Sequence, residues 1–154
     1  ETEDYTYGER LVDPKVRIAE SRDGRQMFRE LPLGVNQIDE VIRMYKEEGF
    51  GTNQAVMEIG MPSDIKLQDP PCLRLIDTKI RDHKLHFCLY FRSWDLWGGF
   101  PSNLGGLQLV KQYMAEMIGV EDGEIIAASK GLHLYDYSWE VAKIRTKKTD
   151  KVIA

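Results

Sequence analysis

The sequence predicts an α+β fold, a mixed and largely antiparallel β-sheet with helices packed on it. Three observations carry that reading. Leu85, Phe87, Leu89 and Phe91 alternate with His86, Cys88, Tyr90 and Arg92, so one face of a strand is wholly apolar. Leu73 to Arg81 alternates as well and is joined to that strand by Asp82-His83, which fits a short hairpin turn although it lacks the preferred Gly. Two other stretches, one on each side of the hairpin, repeat apolar residues at three- and four-residue steps and therefore read as amphipathic helices. A hairpin sheet and helices of that kind bury their apolar faces against each other in layers.

The elements follow in order. Residues 1–14 begin acidic and continue Tyr5-Thr6-Tyr7-Gly8-Glu9-Arg10-Leu11, an aromatic Tyr-Gly segment more typical of a domain interior than of a free start. Asp13-Pro14 suggests a turn, and the segment 21–33, with Asp23-Gly24 and flanking prolines, reads as loop. Asn36 to Glu48 is helical: Ile38, Val41, Ile42 and Tyr45 share a face, Asn36 suits the N-cap, Asp39 and Glu40 suit the first turn, and Gly49 suits the stop. Asn53 to Ile59 reads as a strand with Ala55, Met57 and Ile59 on one side, broken by Pro62-Ser63-Asp64. In the hairpin, Leu73, Leu75 and Ile80 are expected to face the core. Gly98-Gly99 and Pro101 interrupt regular structure before a helix capped by Ser102 or Asn103, with Leu107, Val110, Met114 and Met117 or Ile118 inward and Gly119 as its end. Asp122-Gly123 reads as a turn, Glu124 to Tyr135 as a long strand weakened at Gly131, and Tyr137 to Arg145 as a short helix that packs through Trp139 and Val141 or Ala142. The basic tail 145–151 is expected to fray.

Composition bounds the function. A chain of 154 residues defaults to one domain and can bury a sizeable core. Its 42% hydrophobic and 30% charged residues are ordinary for a globular protein. A net charge of −4 gives no global basic field, so nucleic acid is not an expected partner. No apolar run approaches the ~20 residues of a membrane span, and no signal peptide is visible. Two cysteines without CxxC spacing fit a reduced, cytoplasmic setting.

Several residues have chemical potential. Cys72 follows Pro70-Pro71, a stiff approach that would present its thiol, either as a nucleophile or as a buried structural group. A nucleophile needs a depressed pKa, and Arg92 is the candidate cation if the two strands pair. Arg92 and Ser93, followed by glycines, suit phosphate oxygens or an ordinary strand-end ion pair. Trp94 and Trp97 suit the core or the wall of a planar ligand. Asn103 is a helix cap or a reader of a pyrimidine edge, its amide held by Ser102, Gly105 and the helix start. His133 and Tyr135, two apart, share one side of a strand. His83, His86 and Cys88 lack a fourth metal ligand at a recognisable spacing.

A cysteine after proline, then Arg92-Ser93-Trp94-Asp95, then Pro101-Ser102-Asn103, then His133-Leu134-Tyr135, in this order and spacing, resembles the thymidylate synthase family, and the Leu96-Trp97-Gly98-Gly99-Phe100-Pro101-Ser102-Asn103-Leu104-Gly105-Gly106 version is similar to its archaeal members. The resemblance implies a cytoplasmic methyltransferase of dTMP biosynthesis, in which Cys72 attacks carbon six of dUMP and a reduced pterin donates the one-carbon group. That donor is methylene-tetrahydromethanopterin or methylene-tetrahydrofolate. Arg92 and Ser93 would hold the phosphate, Asn103 the uracil edge, and His133 and Tyr135 the deoxyribose hydroxyl. Asp95 would lie where pyrimidine meets cofactor, and Tyr7 resembles the tyrosine associated with proton removal from carbon five. The resemblance also implies a homodimer with sheets packed face to face, and a single domain over 1–154 that is a fragment of a longer chain.

As a fragment it is expected to lack the family's N-terminal segment, with its catalytic glutamate and a phosphate arginine, and the C-terminal segment that closes over cofactor, and it departs from the family pattern at three further places. Leu73 follows the cysteine where the family has His, Phe91 precedes the arginine where Gln is common, and Asn53-Gln54 stand where the partner subunit lends two arginines. A deoxycytidylate hydroxymethylase is the nearest alternative, with an aspartate expected at the Asn103 position. A catalytically silent nucleotide- or RNA-binding protein on the same scaffold, and a cysteine hydrolase, are further alternatives.

Overall fold

A computed structural model of the chain describes residues 5–22 and 25–147. Helix α1 (Tyr7–Val12) leads into strands β1 (Lys15–Arg22) and β2 (Arg25–Pro32), then helix α2 (Gln37–Glu48) and the short strand β3 (Val56–Glu58). A 3-10 turn at Pro62–Lys66 precedes β4 (Leu73–Arg81) and β5 (Lys84–Phe91). The two-residue strand β6 (Trp94–Asp95) is followed by the long helix α3 (Gly99–Ile118), β7 (Glu121–Ser129), β8 (Leu132–His133) and α4 (Trp139–Thr146).

The central sheet has the order β3-β4-β5-β7. Its first three strands run antiparallel, and β7 joins parallel to β5 after the crossover through α3. The architecture is thus the expected mixed, mainly antiparallel α+β one. Asp82 and His83 close the β4–β5 hairpin with φ of 50° and 59°, the left-handed pair that a two-residue hairpin turn needs. Helices α2 and α3 lie on one face of the sheet. Ile38, Val41, Ile42 and Tyr45 of α2 meet Met57, Ile76, Leu85, Phe87 and Leu89 of the strands and Leu107, Met114 and Ile118 of α3 in one core. Burial of that apolar surface is the main force holding the layers together. Tyr45 is wholly buried, and its hydroxyl is satisfied by Thr78 Oγ1 at 2.9 Å. Asn36 caps α2 through Oδ1, which accepts from the N–H of Ile38 and Asp39.

Several elements differ from expectation. The segment 21–33 is mostly strand β2, paired with β1 in a separate two-stranded sheet; Asp23-Gly24, a strong hairpin dipeptide, lies between the two in sequence. Tyr7–Val12 is a helix, capped by Thr6, whose Oγ1 accepts from Glu9 N at 3.0 Å. Leu75 does not face the core: the β4 register shifts between Leu73 and Leu75, so Leu73, Ile76, Thr78 and Ile80 are the buried set. Helix α3 starts at Gly99, upstream of Ser102 and Asn103, and neither caps it. Its inward face is Leu107, Lys111, Met114, Ala115 and Ile118, with Val110 half-buried and Met117 exposed.

Asp122-Gly123 lies within β7 and is not a turn. A β-carbon on Gly123 would stand 2.4 Å from the Leu85 carbonyl oxygen, so glycine is needed there for close approach of the strands. The predicted strand from Glu124 to Tyr135 splits into β7 and β8, with Lys130-Gly131 between them and Tyr135 beyond. Helix α4 has no buried residue, and Trp139 and Val141 are exposed. Of the basic tail, residues 148–151 lie outside the described residues.

Candidate functional site

The site is built at the C-terminal end of β5, where four segments converge. The first is the loop Asp69-Pro70-Pro71-Cys72 leading into β4. Prolines offer carbonyls but no N–H, so this loop needs donors from elsewhere. Arg92, the residue after β5, supplies them. Its Nε donates to the Pro70 and Pro71 carbonyls at 3.1 and 3.3 Å, and its Nη2 to Pro70 O and to Asp69 Oδ1, the latter at 3.0 Å. The Arg92 N–H also donates to the Cys72 carbonyl at 2.8 Å. Strand pairing therefore brings cation and thiol segment together as the alternation predicts.

Helix α1 is the second segment. The Tyr7 hydroxyl accepts from the N–H of Leu73 at 3.2 Å, one residue from the cysteine. What pins α1 there is Arg10, buried at 6% exposure, whose Nη2 lies 2.9 Å from Oδ1 of the equally buried Asp64. Asp64 Oδ2 also accepts from the Met61 N–H at 2.7 Å, and Arg10 Nη1 reaches the Ile59 carbonyl at 3.3 Å. Tyr5 sits nearby under the Arg10 guanidinium, 5.1 Å from its ring centre, and donates to the Asp69 carbonyl at 3.3 Å.

The third segment is β6 and the start of α3. Asp95 accepts from the N–H of Trp97 through Oδ1 and from those of Gly98 and Gly99 through Oδ2, at 2.9–3.0 Å. Burial works against its charge, but the Trp97, Gly99 and Gly98 N–H groups and nearby His133 outweigh it and hold the carboxyl below the usual carboxylate range. Asp95 is thus the group that satisfies the helix start, the task the sequence suggested for Ser102 or Asn103. Ser102 Oγ donates back to the Gly98 carbonyl at 2.8 Å. Asn103 Oδ1 accepts from Trp94 Nε1 at 3.0 Å, and Trp94 itself is buried, stacked on Phe91 at 3.9 Å.

The fourth segment is β8, which pairs parallel with β6 so that His133 stands opposite Asp95. His133 Nδ1 and Ser93 Oγ are 2.9 Å apart, and the Tyr135 ring lies 5.0 Å from the His133 ring at 90°. Burial raises the Tyr135 phenol pKa, and the negative charges of Asp69, Cys72 and Asp95 add to it, which places Tyr135 in the same electrostatic neighbourhood as the thiol.

The thiol itself is half-buried, and desolvation pushes its pKa up; Arg92 pulls it down and Asp69 pushes it up again. The expected depressed thiol is therefore not what this chain displays: the cation is in place, but its charge is shared with Asp69 and does not offset burial. Both cysteines are free.

All eight residues singled out from sequence, Cys72, Tyr7, Asp95, Arg92, Ser93, Asn103, His133 and Tyr135, fall in these converging segments. Sequence reasoning missed Asp69, Tyr5 and the Arg10–Asp64 pair. An acid next to a Pro-Pro-Cys run was a visible signal for Asp69; nothing local marked the others. No group of three or more His, Cys, Asp or Glu suited to a metal is found among the described residues. His86 Nδ1 instead accepts from the Glu124 N–H at 3.1 Å. No helix among them is long and apolar enough to cross a membrane. An apolar cavity of about 580 Å³ lies elsewhere, between the base of the β1–β2 hairpin, α2 and β3, and none of the eight residues lines it.

Fold and site define an α+β domain that presents a proline-flanked cysteine beside an arginine clamp, a buried-edge carboxamide and a His–Tyr pair. The chain belongs to the thymidylate synthase family, whose model matches residues 7–153. It is 36% identical over 140 residues to a protein of Methanosarcina mazei named "Putative thymidylate synthase", covering 91% of this chain and 57% of that one. A protein of the same name from Methanothermobacter thermautotrophicus is 32% identical over 139 residues, covering 90% and 54%. The thymidylate synthase of Listeria monocytogenes is 30% identical over 116 residues, covering 75% and 37%. The chain thus spans little more than half the length of its archaeal relatives.

Proposed function

We propose that the whole protein carrying this chain is a thymidylate synthase that converts dUMP to dTMP, with Cys72 as the nucleophile. Residues 1–154 are one domain of it. The observation that carries this reading is the Arg92 clamp: one guanidinium fixes the cysteine loop, and the next residue in the chain, Ser93, is hydrogen-bonded to His133.

The Cys72 thiolate bonds to carbon six of the uracil ring, and the electron pair of the ring double bond moves toward carbon five and the carbonyl at position four. Asn103 meets that developing negative charge with its amide N–H, since its Oδ1 is turned to Trp94. Arg92 and Ser93 hold the phosphate by charge-assisted hydrogen bonds. His133 and Tyr135 meet the ribose hydroxyl. Tyr7 takes part in moving the carbon-five proton, a role supported by its hydroxyl accepting from the N–H of Leu73, one residue from the nucleophile. Once carbon five carries the one-carbon unit in place of that proton, expulsion of Cys72 restores the ring double bond.

The residues beside Asp95 fit a planar, partly polar cofactor. Leu96, Trp97 and Phe100 expose apolar surface there, and Asp95 has used three of its roughly four lone-pair positions. A reduced pterin held by them would supply the one-carbon unit and the hydride that completes the methyl group.

The outer face of the sheet suits a second subunit. Strand register aligns Glu58, Leu75, Tyr90 and Ala128 in one row and Val56, Asp77, Cys88 and Ile126 in the next. Val56, Tyr90 and Ile126 are exposed there, an apolar band that a homodimer with face-to-face sheets would bury.

The phosphate assignment is tested by calorimetry on the whole protein. dUMP is expected to bind more tightly than deoxyuridine, and Arg92→Ala to remove most of the difference, about 1.5–3 kcal/mol for a charge-assisted hydrogen bond. Equal affinity for nucleotide and nucleoside in the wild type would refute it.

A further inference from the structure

We propose that Asp69 is an internal competitor for the phosphate position on Arg92: its carboxylate occupies the guanidinium in the free protein, and a phosphate binds by exchange with it. This rests on the reading of Arg92 as the phosphate ligand and adds a residue that sets how strong an anion must be to take that place.

The geometry separates two kinds of contact on one guanidinium. Nε and Nη2 reach the Pro70 carbonyl and Nε the Pro71 carbonyl, bonds to a loop that has few donors of its own. Nη2 also reaches Asp69 Oδ1 at 3.0 Å. The carbonyl contacts aim the arginine and hold the cysteine loop, and a phosphate need not break them. The carboxylate contact is different in kind. A carboxylate and a phosphate oxygen present the same acceptor geometry to a guanidinium, so the two compete for it.

Exposure shows which side of that competition is weak. The Asp69 side chain is 89% exposed, while Arg92 is 32% exposed. An ion pair with one member so open to water gains little and is easily exchanged. The Asp69 backbone, by contrast, is anchored, because Tyr5 donates to its carbonyl and Arg10 lies over the Tyr5 ring. The side chain can leave Arg92 without the loop leaving with it. A neutral nucleoside gains nothing from the exchange. A phosphate, with charge near −2, does. Asp69 therefore raises the threshold for occupying Arg92 and leaves the nucleoside part of the site untouched. The same carboxylate helps to keep the Cys72 thiol protonated in the free protein.

The experiment is a double-mutant cycle on the whole protein with dUMP and deoxyuridine as ligands. Asp69→Asn is expected to tighten dUMP binding by up to about fivefold, the upper range for an exposed ion pair, and to leave deoxyuridine unchanged. In the Arg92→Ala background, Asp69→Asn is expected to change neither. If the wild type prefers dUMP over deoxyuridine through Arg92, yet Asp69→Asn leaves dUMP binding unchanged or weaker, the competitor role is overturned and the phosphate site stands. If dUMP has no advantage that Arg92→Ala removes, the phosphate site falls and this proposal with it.

Discussion

Asn103→Asp tests base recognition with little disturbance to the fold. The indole N–H of Trp94 can only donate, so the amide oxygen of Asn103 must face it, 3.0 Å away, and Nδ2 must face outward. The hold on the amide is thus Trp94, and not the Ser102 and Gly105 neighbourhood to which the sequence points. In the proposed complex Nδ2 donates to the uracil carbonyl at position four, and the second lone pair of Oδ1 accepts from the ring N–H. An aspartate keeps an acceptor for Trp94 but offers no donor unless protonated. The uracil carbonyl then loses its partner, at ~1–3 kcal/mol, or about ten- to a hundredfold in dUMP affinity. Cytosine presents an amino donor at the same position, so dCMP loses less or gains. Competition binding of dUMP against dCMP is expected to show a wild-type preference for dUMP that Asn103→Asp narrows or reverses. Urea unfolding should show near wild-type stability for this variant, whereas Asn103→Ala strands the buried indole N–H and costs ~1–3 kcal/mol. An unchanged dUMP-to-dCMP ratio in Asn103→Asp would refute the base-reading role.

Two further outcomes follow from buried and capping charges. Asp64→Ala leaves the buried Arg10 guanidinium without its carboxylate and should cost ~3–5 kcal/mol in urea unfolding, because an uncompensated buried charge is expensive; a loss below about 1 kcal/mol would show that the pair does not pin α1. Asp95 has a folded pKa below its ordinary value, so its contribution to stability is present above the unfolded carboxylate range of about 4 and is lost as pH falls through the lower folded value. Wild type should therefore lose more stability than Asp95→Asn between neutral pH and pH 3 by thermal unfolding, and parallel losses would contradict the capping assignment.

The legible parts of the fold were those where one period governs one face. Leu85, Phe87, Leu89 and Phe91 are buried as their alternation requires, and α2 begins and ends at its predicted caps. Misreadings arose where tertiary context overrides the local pattern. Leu75 leaves the core because of a shift in pairing that the sequence of β4 does not encode. Pro101 and the glycine pair read as a break, yet proline is tolerated in a first turn, and Asp95 from the preceding strand satisfies the N–H groups there. Gly123 reads as a turn because a glycine needed for close strand approach has the same letter as one needed for a turn. For the site, residue types and spacing pointed to eight side chains, and the fold brings the segments that carry them together. They did not reveal Arg92's attachment to Asp69, Pro70 and Pro71, because that depends on which oxygens the folded loop turns toward the guanidinium.

The proposed reaction turns on a bond from the Cys72 sulfur to carbon six of the pyrimidine. Fluorine at carbon five cannot leave as a proton, so 5-fluoro-dUMP stalls the reaction with that bond intact. Mass spectrometry of the intact whole protein after incubation with 5-fluoro-dUMP and a methylene pterin measures it directly. A covalent mass increase is expected in the wild type and in Cys88→Ala, and none in Cys72→Ala; an adduct that survives in Cys72→Ala, or none in the wild type, would contradict the role of Cys72.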